Sequence, residues 1–490
     1  MSFQKEQKGF LFSLDASLGV LVVIIVIASV ARAANPDLVY GQQGFLRLER
    51  NANDAILVMD TLGVLDNMVG YLQYGDNTNA ENTVRTWLAK ILPDDVQFKL
   101  VFGDNLLTVY PTSSSGWSAK FSAAEEVATA VRMATYWDGT SWITQTIDSD
   151  ANTGQYTSIA LGASGYPAIS YYTVTNENLK YSRWTGYDWV DWVVQTTNTV
   201  GQYTSLGLDN YGYARISYYD NTNQNLMYAY WDGPSGAWTL VNLDNANNVG
   251  SYTSLALENS YYPHISYYDG TNANLKYAKP NGMASWYTPY SIDNTNTVGQ
   301  YSSIVLDENR RAHISYYDNT NGNLKYAKPV SSGSWSLSAI DSAGNVGLYT
   351  SIELNDNQKP CISYYDDTNK NLMYAYQTGS GWIGTGSGID NTGDVGLFNS
   401  LALDQNDHPH ISYYDNTNGD LKYAYWTGSS WRTTTVDSTG NVGKYTSLAL
   451  TSNGYPNVSY YDATNGDLKY ARSLWEYKPI TLYVWRGTAP

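Results

Sequence analysis

Carboxylates recur in this chain at two fixed places of a long repeat. Asp220, Asp269, Asp318, Asp366, Asp415 and Asp462 each follow a Tyr-Tyr pair, while Asp148, Asp244, Asp293, Asp341, Asp390 and Asp437 each precede a glycine turn. Glycoside hydrolysis needs two acids in one cleft with different proton affinities. Near-equivalent acids spread over a repeat point to turns instead. The histidines are His264, His313, His408 and His410; three occupy equivalent repeat positions, a repeat apart, and read as structural rather than as a converging metal site. DSDAN (148–152) alternates oxygen donors like a Ca²⁺ loop but lacks the glycine and distal glutamate of one, so turn capping is the reading and Ca²⁺ the alternative. No nucleophile elbow, zinc-protease or phosphate-loop motif is present, and Cys361 is the single cysteine. No catalytic residue and no cofactor are therefore assigned.

Aromatic side chains offer a different chemistry, because Tyr and Trp faces stack on sugar rings. The chain holds 46 Tyr and 16 Trp with only 15% charged residues. Tyrosines constant in every repeat (Tyr172, Tyr219, Tyr268, Tyr317, Tyr365, Tyr414, Tyr461, and Tyr181, Tyr228, Tyr277, Tyr326, Tyr374, Tyr423, Tyr470) are expected to pack one repeat on the next. Positions that vary are the better ligand candidates. At the end of the third strand they are Trp184, Trp231, Pro280, Pro329, Gln377, Trp426 and Ser473, and from these Trp184, Trp231 and Trp426 are taken as ligand-binding.

The elements that must hold these residues follow from the period. Cores of the type [IV]SYY begin at Ile169, Ile216, Ile265, Ile314, Ile362, Ile411 and Val458, with spacings of 47 to 49 residues. Each unit contains four short runs rich in β-branched and aromatic residues, as in WRTTTV, YTSLAL, ISYY and LKYAYW, separated by Asn, Asp and Gly turns. That period and pattern predict a mainly β fold, a seven-bladed β-propeller over 132–490. YWDGTSWITQTID (136–148) duplicates a repeat end and is expected to complete the last blade, with ITLYVW (480–485) adding an outer strand. Before it come a small α+β region at 34–110, with a helix ending before Pro93 and a hairpin of 96–102 with 106–110, and a Ser-rich linker at 111–131.

At the N-terminus, Phe10 to Ala31 form a 22-residue apolar stretch interrupted only by Asp15 and preceded by Lys5 and Lys8, long enough to span a bilayer and oriented with the short side inside. ARA at 31–33 leaves a cleaved secretory signal open, and a plain signal anchor is equally consistent. KGFLFSLDA at 8–16 resembles the class III signal of archaeal type IV pilin-like proteins. The resemblance implies processing after Gly9, with Phe10 as the mature first residue and 1–33 retained as anchor or filament core. Asp15 stands sixth after that bond, where a glutamate at the fifth position is usual.

The repeat ISYYD-x-TNGDLKYAYWDG-x-SW looks like those of fucose-binding propeller lectins, and WDGTSW resembles a degenerate Asp-box of sialidases and other propellers. With a net charge of −17, of which −13 lies in 133–490, nucleic acid is not an expected partner. The expected protein is a cell-surface or pilus-associated adhesin whose partners are the membrane, other pilin-like subunits, and surface glycans or proteins. An extracellular glycosidase or lyase, and a purely structural filament subunit, are the alternatives.

Overall fold

The computed structural model describes residues 37–486, apart from 74, 113–115, 125, 151, 234, 259–261, 283–284 and 332. Gly9, Phe10 and the apolar N-terminal stretch lie outside the described residues. The chain is mainly β, and its described residues divide into two compact units, one within 142–473 and one joining 37–141 with 474–486.

In the smaller unit, helices Asp37–Thr61, Val64–Gln73 and Asn77–Ile91 accompany a sheet ordered Leu107–Val109, Val96–Phe102, Glu476–Arg486, Val127–Tyr136. Asp76 caps the third helix by accepting from the Asn79 amide at 3.0 Å, and the helix stops before Pro93. Leu48, Met59, Leu65, Leu88, Leu100 and Leu482 lie in one core. The expected hairpin is present. Two expectations are corrected here. Residues 111–131 are not simply a linker: Trp117 is buried in the short helix Trp117–Ser122, and Ala128 and Ala130 are buried in the strand that follows. ITLYVW does not extend the repeats, because its alternating Ile480, Leu482 and Val484 fill this core between two other strands. Among the described residues no single helix is long and apolar enough to cross a membrane; the bent pair Phe45–Thr61 and Val64–Gln73 meets the criteria, but buries its apolar side in this core.

The repeat unit consists of seven four-stranded antiparallel sheets, an arrangement consistent with a propeller. The sixth shows the order: Val395–Leu403, Pro409–Asp415, Asp420–Trp426, Trp431–Asp437. In the seventh, Val442–Leu450, Pro456–Asp462 and Asp467–Ser473 receive their fourth strand from Trp142–Asp148, as the duplicated segment led one to expect.

The first strand of every sheet is innermost, which the sequence had left open. Its aromatic residues meet around a common axis: Tyr156, Tyr203, Tyr252, Tyr301, Tyr349, Phe398 and Tyr445 each pack on the next with ring centroids 4.5–4.7 Å apart, and Tyr445 packs on Tyr156 at 4.6 Å. Interplanar angles of 44–55° scatter around one seventh of a turn. A second constant contact lies further out. Trp142, Trp189, Trp238, Trp286, Trp335, Trp382 and Trp431 set their rings edge-on against Tyr423, Tyr470, Tyr181, Tyr228, Tyr277, Tyr326 and Tyr374 of the preceding sheet at 5.0–5.5 Å. Each such pair contributes about 0.5–1.5 kcal/mol beyond its burial.

Candidate functional site

The meander order gives each sheet two unlike ends. At one end lie the turns between second and third strands, such as DNTNG at 415–419, and the loops that enter the inner strand. At the other lie the TGSS-type turns between third and fourth strands, beside Trp184, Trp231 and Trp426.

The first set of aspartates builds the turns, as expected. Asp415 accepts from the Thr417 and Asn418 amides at 3.0 Å, and its other oxygen accepts from Asn418 Nδ2 at 2.9 Å. Asp269, Asp366 and Asp462 repeat the pattern. The turn threonine then ties down the loop that enters the inner strand of its own sheet, Thr417 Oγ1 accepting from the Asp394 amide at 2.7 Å and Thr464 Oγ1 from the Asn441 amide.

The second set does something that was not foreseen, although it is no acid/base pair. Asp148, Asp244, Asp293, Asp341, Asp390 and Asp437 each accept from the hydroxyl of the first Tyr of the following pair, namely Tyr171, Tyr267, Tyr316, Tyr364, Tyr413 and Tyr460, at 2.6–2.8 Å. Five of them also receive a lysine ammonium: Lys180, Lys276, Lys325, Lys422 and Lys469. Each bond ties one sheet's outer strand to the next sheet. Burial raises the Asp390 carboxyl, but bonds from Lys422, Thr392 and Tyr413 outweigh it and hold the group below the usual range. At DSDAN, Lys180 faces both Asp148 at 2.5 Å and Asp150 at 3.3 Å, so an ammonium occupies the place considered for Ca²⁺.

Natural variation within the repeat tests this bond. Where Gln195 replaces the aspartate opposite Tyr218, Met227 replaces the lysine, whereas Asp341, which is only half-buried, keeps its bond from Tyr364 with Met373 at the lysine position. Lys422→Met alone is therefore expected to destabilise by about 1–3 kcal/mol at neutral pH, since it strands a buried carboxylate. The double change Asp390→Gln with Lys422→Met should recover most of that loss in urea melts.

The histidines are structural, as expected. His264, His313 and His410 face the Tyr277, Tyr326 and Tyr423 hydroxyls through Nδ1, and Glu258, Asp307 and Asp404 through Nε2 at 3.1, 3.6 and 3.6 Å. Burial holds His264 and His313 below the usual histidine range despite those acids. Cys361 is buried, and burial pushes its thiol up to about 11, which makes it a poor nucleophile at neutral pH. No group of three or more His, Cys, Asp or Glu placed to hold a metal ion occurs among the described residues.

The proposed tryptophans do not form one site. Trp184, Trp231 and Trp426 sit at equivalent places on the first, second and sixth sheets, each half-covered by its cross-strand partner Trp189, Trp238 or Trp431 at 5.4–5.8 Å. A groove of about 530 Å³ lies at the other end, between the sixth and seventh sheets. Tyr414 forms its floor, and Asn416, Thr417, Asn418, Ser438, Asn441 and Lys444 line it. The Tyr414 hydroxyl donates to Asn441 Oδ1 at 2.9 Å, and Lys444 Nζ stands 5.6 Å from the Tyr414 ring centre. The floor bond recurs as Tyr219 to Asn248, Tyr317 to Asn345, Tyr365 to Asp394 and Tyr461 to Asn152. Amides, hydroxyls and an ammonium on a rigid floor suit a ligand rich in hydroxyl groups.

No family model and no curated protein matches this sequence. Among solved structures, the chain is similar to the PL25 polysaccharide lyase ulvan lyase, with 12% identity, TM-score 0.49, and 67% of this chain and 96% of that one covered. It is similar also to the SapL1 lectin solved with alpha methyl fucoside, at 13% identity and TM-score 0.41 over 58% and 96%. A third is the Aleuria aurantia lectin solved with Fucalpha1-6GlcNAc, at 14% identity and TM-score 0.41 over 60% and 98%. At such identities and scores, the description of the fold rests on the chain's own sheets.

Proposed function

We propose that 142–473 form a seven-bladed β-propeller that binds glycans without transforming them, displayed at the cell surface as an adhesin by the pilin-like N-terminal segment. The observation that supports it is the division of labour among polar groups. Paired acids of the kind a hydrolase uses are consumed in bonds between sheets, whereas the turn end lines an open groove with side-chain amides and hydroxyls that its own hydrogen bonds hold in place. Repetition of the floor bond in five sheets supports several weak sites on one molecule, and hence density-dependent binding. KGFLFSLDA supports the display route and association with other pilin-like subunits.

The test of display is the mass of the native protein. A mature chain beginning at Phe10 is expected; one beginning at Ala34 would make it secreted, and an uncut chain would make it a plain membrane anchor.

A further inference from the structure

Two side chains set the groove between the sixth and seventh sheets apart from the other turn ends, and both are places where the repeat varies. The first is the residue just before the axial aromatic of each inner strand. It is glutamine in the first, second and fourth sheets, serine in the third, leucine in the fifth and sixth, and Lys444 in the seventh. Lys444 Nζ stands 5.6 Å from the ring centre of Tyr414, so its charge lies over the groove floor. No carboxylate among the described residues pairs with it. The fifth sheet shows the contrast: Lys370 stands 5.9 Å from the Tyr365 ring centre, but Asp367 takes its ammonium at 2.5 Å. A ring contact alone leaves all three N–H groups of Lys444 unspent.

The second is the neighbour of Asn441. Its Oδ1 accepts from the Tyr414 hydroxyl at 2.9 Å, just as the equivalent Asn345 accepts from Tyr317. Asn345 then spends its amide, donating from Nδ2 to Asp367 Oδ2 at 2.9 Å. In the seventh sheet Ala463 stands where the fifth has Asp367, and Asn441 Nδ2 has no acceptor among the described residues.

Both variations leave the same surplus. The acceptors of the groove are occupied, Asn441 Oδ1 by Tyr414 and Thr417 Oγ1 by the Asp394 amide, while the donors of Lys444 and of the Asn441 amide remain. None of the residues lining the groove is an acid. The carboxylates beside it are taken: Asp415 receives the Thr417 and Asn418 amides and Asn418 Nδ2, and Asp394 receives Tyr365 and Asn416.

We propose, resting on the reading that this groove holds a glycan, that the sugar it takes carries an anionic group, a carboxylate or a sulfate, received by Lys444 and Asn441. Such an oxyanion only accepts hydrogen bonds, and so matches a site whose remaining groups only donate. Its bond to an ammonium is roughly twice as strong as one between neutral groups. A neutral sugar hydroxyl, by contrast, needs an acceptor as well, and the acceptors here are engaged. The acidic balance of the chain does not oppose this, because charges on distant sheets are screened beyond about 8–10 Å at physiological ionic strength whereas Lys444 acts at contact.

The test is an array of matched pairs probed with the full chain in micelles of a detergent without a sugar head group. Oligogalacturonate, oligoglucuronate and oligomannuronate are each printed beside their methyl esters, which keep rings and hydroxyls but lose the charge, and 6-sulfated galactobiose beside galactobiose. In at least one pair the anionic member is expected to bind at least about tenfold more tightly, with a preference that shrinks as NaCl is raised. The pair with the larger ratio tells carboxylate from sulfate. Lys444→Gln, which installs the residue of three other sheets, should bring that ratio close to one. Ala463→Asp, which supplies the acid of the fifth sheet, should lower it in the same direction. Neutral sugars bound with no anionic member preferred would overturn the proposal and leave glycan binding standing, whereas no sugar bound at all would overturn both. A preference unchanged in the two variants would also overturn it, since the selectivity would then arise elsewhere.

Discussion

Gly443→Ala is expected to destabilise the repeat unit by at least about 3 kcal/mol, seen as a shift of the urea midpoint by tryptophan fluorescence. A β-carbon on Gly443 would lie 2.7 Å from the Leu421 Cα, a backbone atom that cannot move aside, and φ is +105°. The same approach recurs at Gly154, Gly201, Gly250, Gly299, Gly347 and Gly396, each against the Leu of the preceding sheet's third strand at 2.6–2.8 Å. These glycines let one sheet's inner strand lie on its neighbour. Gly212 separates the two effects: φ is +76° but nothing lies within 4 Å of its added carbon. Gly212→Ala should therefore show only the backbone penalty, about 1 kcal/mol. Equal losses at the two positions would refute close approach as the reason for the conserved glycine of the repeat.

Glu353→Gln is expected to stabilise the protein above neutral pH and to leave it unchanged near pH 4.5. Glu353 lies in the inner strand Val346–Leu354, where the equivalent residues are Ala160, Gly207, Ala256, Val305, Ala402 and Ala449. Burial pushes its carboxyl up to about 7. The folded state thus holds a proton that the unfolded chain releases near pH 4.5, so stability is full below that value and is lost as pH rises through about 7. Above pH 7 the loss is about 1–3 kcal/mol, and the amide abolishes it. Taking the difference between variant and parent cancels the opposite trend of His264 and His313. Their lowered proton affinity makes stability full above about 6.5 and lost as pH falls below it. A Glu353→Gln gain that did not grow between pH 4.5 and pH 8 would contradict the buried-acid reading.

The repeat was legible because its signal is local. Strand lengths, the Asx turns and the closing segment 142–148 all follow from residue types near each other in sequence. The innermost strand was not legible, since all four strands carry aromatic residues and the decisive feature is a backbone torsion. A trace of it was present: Gly, one residue, then Tyr or Phe recurs in every unit, and a glycine beside a bulky residue in a strand indicates a bulge. Residues 480–485 were misplaced because alternating apolar residues fit either sheet equally. Composition misled at 111–131, where serines surround a buried Trp117. At the candidate site, variability pointed to Trp184, Trp231 and Trp426, whereas the groove is assembled from turn residues of two sheets, a juxtaposition that no single repeat displays.

The most direct test is a glycan array probed with the full chain, with Asn416→Ala combined with Lys444→Ala, and with Trp184→Ala, Trp231→Ala and Trp426→Ala combined. The account predicts density-dependent glycan binding by the parent, weakened by the groove pair and retained in the tryptophan triple variant. Binding lost only in the tryptophan variant would move the site to the opposite end of the sheets. No binding by the parent at any density would contradict glycan recognition itself.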